Sequence, residues 1–438
     1  MAAEKGSRFS LYERIRWSIY ICLFLGYSSY YFCRKSYTFV VPALISELNI
    51  KKNELGVITS GFAAMYGIGK FSGGLLSDSL SPRTIFTTGM LLTGIINIVI
   101  GFTGNVWLLT FLWSVNGLAQ GCGWPPCAKL LREWFAPYQF ATLWSLLTAG
   151  CNLATSMSPI LTTFLTTNYG WSAGFTVPGI STAILSLLVY FVIFDSPSEA
   201  GLDEFNQSSS ETSRNKNNSV RNKRKLLIAL MQSPFLWVLS FGYLMTLFVK
   251  TGVGEWTQLF LIQTIGKSRY ESSIAMSFLE IGGLCGSLTS GYVTDKLVQK
   301  YGTSTSSSPR IPPMILFALV QLACIYLLHT GVTSTSSLWL ISALVFGIGF
   351  SLYTAINLYG VLAIENGPPG LTGTTHAIVA LAANVGATLA GIPLTTISKS
   401  YDWGGVFVAL ELASLFCFCL LVGARNVNTC MIQPSKLE

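Results

Sequence analysis

Long apolar runs of similar length alternate with short polar ones along this chain. They fall at roughly residues 15–40, 55–77, 84–103, 106–131, 139–166 and 171–194, then 234–262, 272–299, 312–330, 338–364, 371–398 and 404–424. Each holds the ~20 residues that a helix needs to cross ~30 Å of hydrocarbon, so the pattern predicts twelve transmembrane helices. Between the sixth and seventh runs the pattern lapses. Asp195-Ser196-Pro197 opens a stretch of Ser, Asn and basic residues that ends in Arg221-Asn222-Lys223-Arg224-Lys225. So few apolar side chains cannot offset the entropy of ordering, and the stretch reads as a disordered connector. The expected organisation is a six-helix bundle over residues 1–195, a connector over 196–230 and a second six-helix bundle over 231–438.

The two halves repeat. Gly26 and Gly242, and likewise Arg34 and Lys250, are 216 positions apart, and Gly74-xxx-Asp78 recurs 217 positions on as Gly291-xxx-Asp295. Val115-Asn116-Gly117 recurs 230 positions on as Val345-Phe346-Gly347, and Asn152, Trp171 and Phe175 recur 232 positions on as Asn384, Trp403 and Phe407. One insertion, the loop Tyr301 to Pro313, accounts for most of the drift. Duplicated halves of this kind are a property of transporter folds.

Composition agrees with the periodicity: 51% of residues are hydrophobic and 11% charged, a balance that excludes a soluble globule. With both termini and the connector in the cytoplasm, 18 of the 27 Lys and Arg residues lie on that side, five opposite and four within spans. That excess satisfies the positive-inside rule. The sequons at Asn206 and Asn217 then face away from any glycosylating lumen. The connector's basic cluster reads as a topogenic anchor, with anionic membrane lipid as an occasional partner. Most of the ten cysteines sit inside apolar runs, which makes them packing residues rather than disulfides or metal ligands. There is no phosphate-binding glycine loop, nucleophile triad or metal-ligand cluster, so an enzyme, a bound metal or cofactor and a nucleic-acid partner are not expected.

The four cations inside spans carry the candidate chemistry. Lys250 has about fifteen mostly apolar residues on either side, which puts its ammonium near the bilayer midplane. A charge there persists where it faces a cavity or a partner. Tyr27, Tyr30, Arg34 and Tyr37 share a stripe at i, i+3, i+7 and i+10, and Tyr243, Thr246 and Lys250 form a similar one. A guanidinium fork, an ammonium and tyrosine hydroxyls together suit a phosphate dianion. Lys35 lies about 100 degrees round the helix from Arg34 and fits a pairing with Glu280 or Glu255 as well as a site role. Lys70, one turn before Gly74, fits a gate. His376 and Asn384 fall near one face of the eleventh span, where an imidazole could assist phosphate and respond to pH. His329, at the end of the ninth span, reads as structural. Trp124-Pro125-Pro126 must interrupt the fourth span, and Gln120 and Trp124 beside that interruption are candidate sugar contacts.

Gly74-Leu75-Leu76-Ser77-Asp78 followed by Arg83, echoed at Gly291-Tyr292-Val293-Thr294-Asp295-Lys296, resembles the loop motif of the major facilitator superfamily. The resemblance implies that the glycine admits a close helix neighbour and that Asp78, Arg83 and Asp295 latch one conformation. Three further stretches are similar to the organophosphate:phosphate antiporters of that superfamily: Gly26-Tyr27-Ser28-Ser29-Tyr30-Tyr31-Phe32-Cys33-Arg34-Lys35, Asn116 to Cys127, and Lys250-Thr251-Gly252-Val253-Gly254-Glu255-Trp256. The likeness covers essentially all spans. Through Gly117 to Cys127, Ser233 to Ser240 and Gly373 to Leu381 it is nearest to the members that carry glucose 6-phosphate in the animal endoplasmic reticulum. It implies exchange of glucose 6-phosphate for inorganic phosphate across that membrane, and functional coupling to a lumenal glucose-6-phosphatase. The implied binding set is Arg34, Lys250, His376, Lys35, Tyr27, Tyr30, Gln120, Trp124, Asn152, Asn384 and Glu255. In one place the chain departs from the pattern: bacterial relatives place a histidine beside the fifth-span asparagine, where this chain has Cys151-Asn152. Two alternatives stay open, a sugar-phosphate sensor of the same fold and a proton-coupled anion carrier using Glu255 or Glu280.

Overall fold

The computed structural model describes residues 2–135, 137–202, 220–301, 308–368, 371–429 and 431. Among them there is no strand. Fourteen α-helices run α1 Ala2–Leu48, α2 Lys52–Ser79, α3 Pro82–Gly101, α4 Val106–Gly121, α5 Trp124–Trp134, α6 Pro137–Tyr169 and α7 Ala173–Val192, then α8 Val220–Met231, α9 Pro234–Gln263, α10 Arg269–Tyr301, α11 Ile311–Thr330, α12 Leu338–Glu365, α13 Thr372–Leu389 and α14 Ile392–Gly423. The twelve expected spans are all found within them. Two of the spans are interrupted, and both interruptions have local causes.

In the fourth span, α4 ends at Gly121 and α5 restarts at Trp124-Pro125, with the proline in the first turn where its missing N–H costs nothing. In the eleventh, α13 ends at Leu389 and α14 restarts around Gly391-Ile392-Pro393. The long α14 itself contains the turn between the last two spans. Tyr401 leaves the helical region and Asp402 takes a left-handed φ of 53°. Other starts follow ordinary capping: Ser81 ahead of Pro82, Asn105 accepting from the amides of Trp107 and Leu108, and Ser337 accepting from Leu340.

Six helical segments meet a length-and-hydropathy criterion for crossing a membrane: α3, α7, α9, α11, α12 and the stretch Thr374–Asn426, which holds more than one span. The glycosylation sequons and most of the expected disordered connector lie outside the described residues. The basic run from Arg221 to Lys225, expected to belong to that connector, forms the first turns of α8, whose Leu230 is fully buried.

The chain divides into two compact units, Met1–Ile50 with Gly61–Arg214, and Lys51–Ser60 with Asn215–Glu438. In the first, α1 packs on α6 and α7, and α3 on α7. In the second, α10 packs on α12, and α9 on α13 and α14. Glycines allow the closest helix contacts, and they do so equivalently in the two units. A Cβ at Gly117 of α4 would meet the backbone of Phe62 in α2, and one at Gly349 of α12 would meet that of Leu279 in α10.

Candidate functional site

In the first unit the chemistry gathers round Arg34. Its guanidinium carbon lies 4.6 Å from the Tyr31 ring centroid and 4.2 Å from that of Tyr66, with Phe62 at 5.7 Å. The charge is therefore held against aromatic faces. Nε donates to Gln120 Oε1 at 3.0 Å, and Gln120 Nε2 donates in turn to Asn116 Oδ1 at 3.3 Å. That chain fixes which way the Gln120 amide points. Nη2 is buried and has no acceptor in hydrogen-bond geometry. Among the described residues no carboxylate pairs with Arg34. Guanidinium, amide and rings thus form one enclosed cationic socket.

Tyr31, Phe62 and Tyr66 were not in the expected set. Phe62, Tyr66 and Lys70 form a stripe at i, i+4 and i+8 on α2, which is the signal that marks Phe62 and Tyr66. Lys70 reaches the same Tyr66 ring at 5.5 Å, so it borders the Arg34 socket. Lys35 is buried one position along from Arg34. Tyr27 is fully buried against Trp124, at 4.6 Å between rings, and Trp124 meets Trp144 at 4.0 Å. Tyr30 differs from expectation. Its hydroxyl donates to the Phe86 carbonyl at 2.8 Å and its ring is wholly enclosed, so the structure places it in the packing of α1 on α3. Asn152 is buried on α6.

The second unit repeats the motif with an ammonium in place of the guanidinium. Lys250 Nζ lies 5.4 Å from the Tyr353 ring centroid, and the Tyr353 hydroxyl donates to Glu280 at 2.5 Å. Glu280 is a buried intramembrane acid. Tyr243 stacks on Tyr359 at 5.5 Å. His376 adjoins α12 at Gly360, where an added Cβ would sit 3.4 Å from His376 Cε1. Asn384 and Glu255 are half-buried in this same unit. His329 pairs with Glu411 at 2.8 Å, its ring beside Phe260 and Phe407, in keeping with a structural role.

The latch residues behave unevenly. The side chain of Asp78 lies outside the described ones. Arg83 engages the end of α7: its amide donates to Asp195 Oδ1 at 2.8 Å, and Nη1 donates to the Ile193 carbonyl at 3.1 Å and pairs with Glu199 at 3.0 Å. Asp295 pairs with Arg310 at 2.9 Å; Arg310 forks onto Glu365 through Nε at 2.9 Å and Nη2 at 2.6 Å, and reaches Thr294 Oγ1 through Nη1 at 2.6 Å. Burial works against the charge of Arg310, but its hydrogen bonds to Glu365 and Asp295 outweigh burial and raise its pKa. Arg310 was legible too. Ser81-Pro82-Arg83 recurs as Ser308-Pro309-Arg310, 227 positions on, inside the drift the insertion causes. Among the described residues Gly291 has no close neighbour of the kind expected, since none lies within 4 Å of a Cβ built there.

Arg310→Ala is expected to lower the stability of the second unit by about 1–2 kcal/mol. The figure is kept below that of a fully buried pair because both acids are partly exposed. A thermal melt in detergent checks it, with Arg310→Lys recovering the charge without the fork.

Twelve spans in duplicated halves, each holding an intramembrane cation on aromatic rings, define a membrane carrier and not an enzyme. The chain belongs to the Major Facilitator Superfamily, whose family model matches residues 23–391. It is 34% identical over 430 residues to a "probable hexose phosphate transport protein" of Chlamydia pneumoniae, covering 95% of this chain and 92% of that one. It is 29% identical to the membrane sensor protein UhpC of Escherichia coli strain K12, covering 95% and 94%. Among solved structures, a bacterial homologue of the human lysosomal transporter Spinster superposes with a TM-score of 0.77 at 14% identity, over 95% of this chain and 98% of that one, a likeness of fold alone.

Proposed function

We propose that this chain is an exchanger that carries a sugar phosphate one way and inorganic phosphate the other by alternating access. The observation that carries the reading is Arg34: a guanidinium inside a membrane span, oriented by Gln120, held between Tyr31 and Tyr66, with its buried Nη2 lacking an acceptor. A charge so placed costs about 2.5–3.5 kcal/mol on insertion scales and is retained where function needs it. A phosphate oxygen supplies the missing acceptor. Lys250 is the corresponding cation of the second repeat, His376, Asn384, Gln120 and Trp124 serve the sugar and phosphate oxygens, and Lys35, Glu255 and Asn152 complete the set. A bound dianion neutralises the cation it meets, and that neutralisation is what permits alternating access. Arg83 with Asp195 and Glu199, and Arg310 with Asp295 and Glu365, are the latches that reform in each cycle.

The hexose phosphate named for the Chlamydia relative supports a sugar phosphate as substrate. Within that class the proposed substrate is glucose 6-phosphate, the membrane that of the endoplasmic reticulum, both termini cytoplasmic, and the product's consumer a lumenal glucose-6-phosphatase. The test is counterflow in proteoliposomes loaded with phosphate, comparing glucose 6-phosphate, glycerol 3-phosphate and phosphate itself. Uptake of glucose 6-phosphate that needs internal phosphate supports the reading, and uptake indifferent to internal phosphate refutes it. The likeness to the sensor UhpC favours a second reading, a carrier-derived sensor, which would bind glucose 6-phosphate and give no flux in the same vesicles.

A further inference from the structure

The break between α13 and α14 is filled by a side chain from α2. Ser60 belongs to the short segment Lys51–Ser60, which clusters with the second unit. Its hydroxyl donates to the Thr388 carbonyl at 2.8 Å and accepts from the Ile392 amide at 2.9 Å. Residues 388 and 392 are i and i+4. In an uninterrupted α-helix the Ile392 amide would donate straight to the Thr388 carbonyl. Ser60 therefore sits inside one backbone hydrogen bond of the eleventh span and serves both of the groups it separates. Insertion of this kind is a recognised cause of a helix kink.

The surroundings make the insertion specific. Gly391 has no side chain to repel the intruder: a Cβ there would fall 2.6 Å from the Gly56 carbonyl and 2.7 Å from the Ser60 nitrogen. The Ala390 carbonyl, also released by the break, accepts from Trp256 Nε1 at 2.8 Å. Pro393 has no N–H for the Leu389 carbonyl, so the ladder is weakest where Ser60 enters it. Farther along, Lys52 Nζ donates to the Ser398 carbonyl and to Asp402, both at 3.2 Å, and lies 5.0 Å from the Trp403 ring centroid. Segment 51–60 is thus fastened to α14 at its far end and wedged into the helix break at its near end.

We infer that Ser60 is a positioning residue for the eleventh span: docked, its hydroxyl holds the span open at Ala390-Gly391, and withdrawn, it lets the Ile392 amide close onto Thr388. The backbone loses no hydrogen bond in either state, because the two serine bonds are exchanged for one direct bond while the serine is solvated elsewhere. That equality makes the element two-state rather than strained. Its closure changes the direction of the helix that carries His376 and Asn384, which is how the position of segment 51–60 reaches those two residues. The link to turnover rests on the transporter reading, whereas the helix switch itself does not.

The experiment is hydrogen–deuterium exchange of the purified full-length protein, without substrate, read on peptides covering residues 388–396. Ser60→Ala leaves the Ile392 amide to pair directly with the Thr388 carbonyl and is expected to slow exchange there by about tenfold, because a continuous helical ladder opens less readily than a bond to a side chain of another helix. Gly391→Ala evicts the segment by sterics and should slow it likewise, while Ser60→Thr keeps the hydroxyl and should match the parent. In counterflow, Ser60→Ala should lower maximal exchange with KM unchanged, and Ser60→Thr should restore it. Unchanged or faster deuteration in both Ser60→Ala and Gly391→Ala overturns the switch, as does a Ser60→Thr variant that behaves like the alanine. Absence of exchange in the unmodified protein would instead count against the transporter reading, and the deuteration result would stand apart from it.

Discussion

Arg34→Ala is expected to abolish exchange, lowering counterflow by roughly a hundredfold or more, while the protein still folds and inserts. Charge-assisted hydrogen bonds to a phosphate are worth about 1.5–3 kcal/mol each, and Arg34 has a fork to offer, so two lost bonds exceed the ~2.7 kcal/mol that a hundredfold represents. Stability moves little because two effects oppose. Losing the stacking of the guanidinium on Tyr31 and Tyr66 costs about 1–2 kcal/mol, and removing a charge from the span returns about 2.5–3.5. Arg34→Lys separates charge from geometry: it keeps the cation but cannot donate to Gln120 and phosphate in one plane, and its exchange should fall between the two. Gln120→Leu leaves Arg34 charged but unoriented, so KM should rise more than maximal rate falls. Parent-level flux in Arg34→Ala, at equal protein per vesicle, would remove the basis of the proposed function.

The periodicity was enough for the spans, the repeat and the two intramembrane cations, because each depends on where apolar runs begin and end. What it could not supply is rotation. Tyr30 and Tyr31 are neighbours in the chain, and an aromatic stripe drawn on α1 alone selects Tyr30; the neighbouring helices decide otherwise, enclosing Tyr30 against Phe86 and leaving Tyr31 beneath Arg34. Tyr66 reaches Arg34 from another helix, and no spacing within α1 points to it. Arg310 is a different case. The Ser-Pro-Arg triplet is repeated, but the insertion before it shifts its offset to 227, away from the 217 of the neighbouring Gly-xxx-Asp pair. Ser60 left no trace at all, since a serine on a membrane helix becomes informative only when a broken backbone hydrogen bond is found beside it. The Gly291 motif shows the reverse: a pattern borrowed from a family suggested a close contact that no described residue makes with this helix.

Gly349→Leu is expected to destroy the fold of the second unit, the largest stability effect of any single change proposed for it. At Gly349 the backbones of α12 and α10 touch, and an added Cβ would lie 3.1 Å from Leu279 Cα and closer still to the Leu279 carbonyl oxygen. A backbone carbonyl cannot rotate away as a side chain can. Relief requires the helices to separate, and two further contacts resist that: Gly282 against Phe346 and Gly286 against Phe350, each again glycine on backbone. Gly349→Ala should cost about 1–3 kcal/mol as an overpacked site. The leucine adds three more carbons to the same seam and should consume most of a margin of about 5–15 kcal/mol. The measurement is thermal unfolding and gel-filtration behaviour in detergent for both substitutions. Gly291→Ala serves as the control, because no described residue lies within 4 Å of a Cβ there and alanine is the better helix former by about 1 kcal/mol. If Gly349→Leu and Gly291→Ala melt alike, the two helices are held by something other than close backbone approach at glycine.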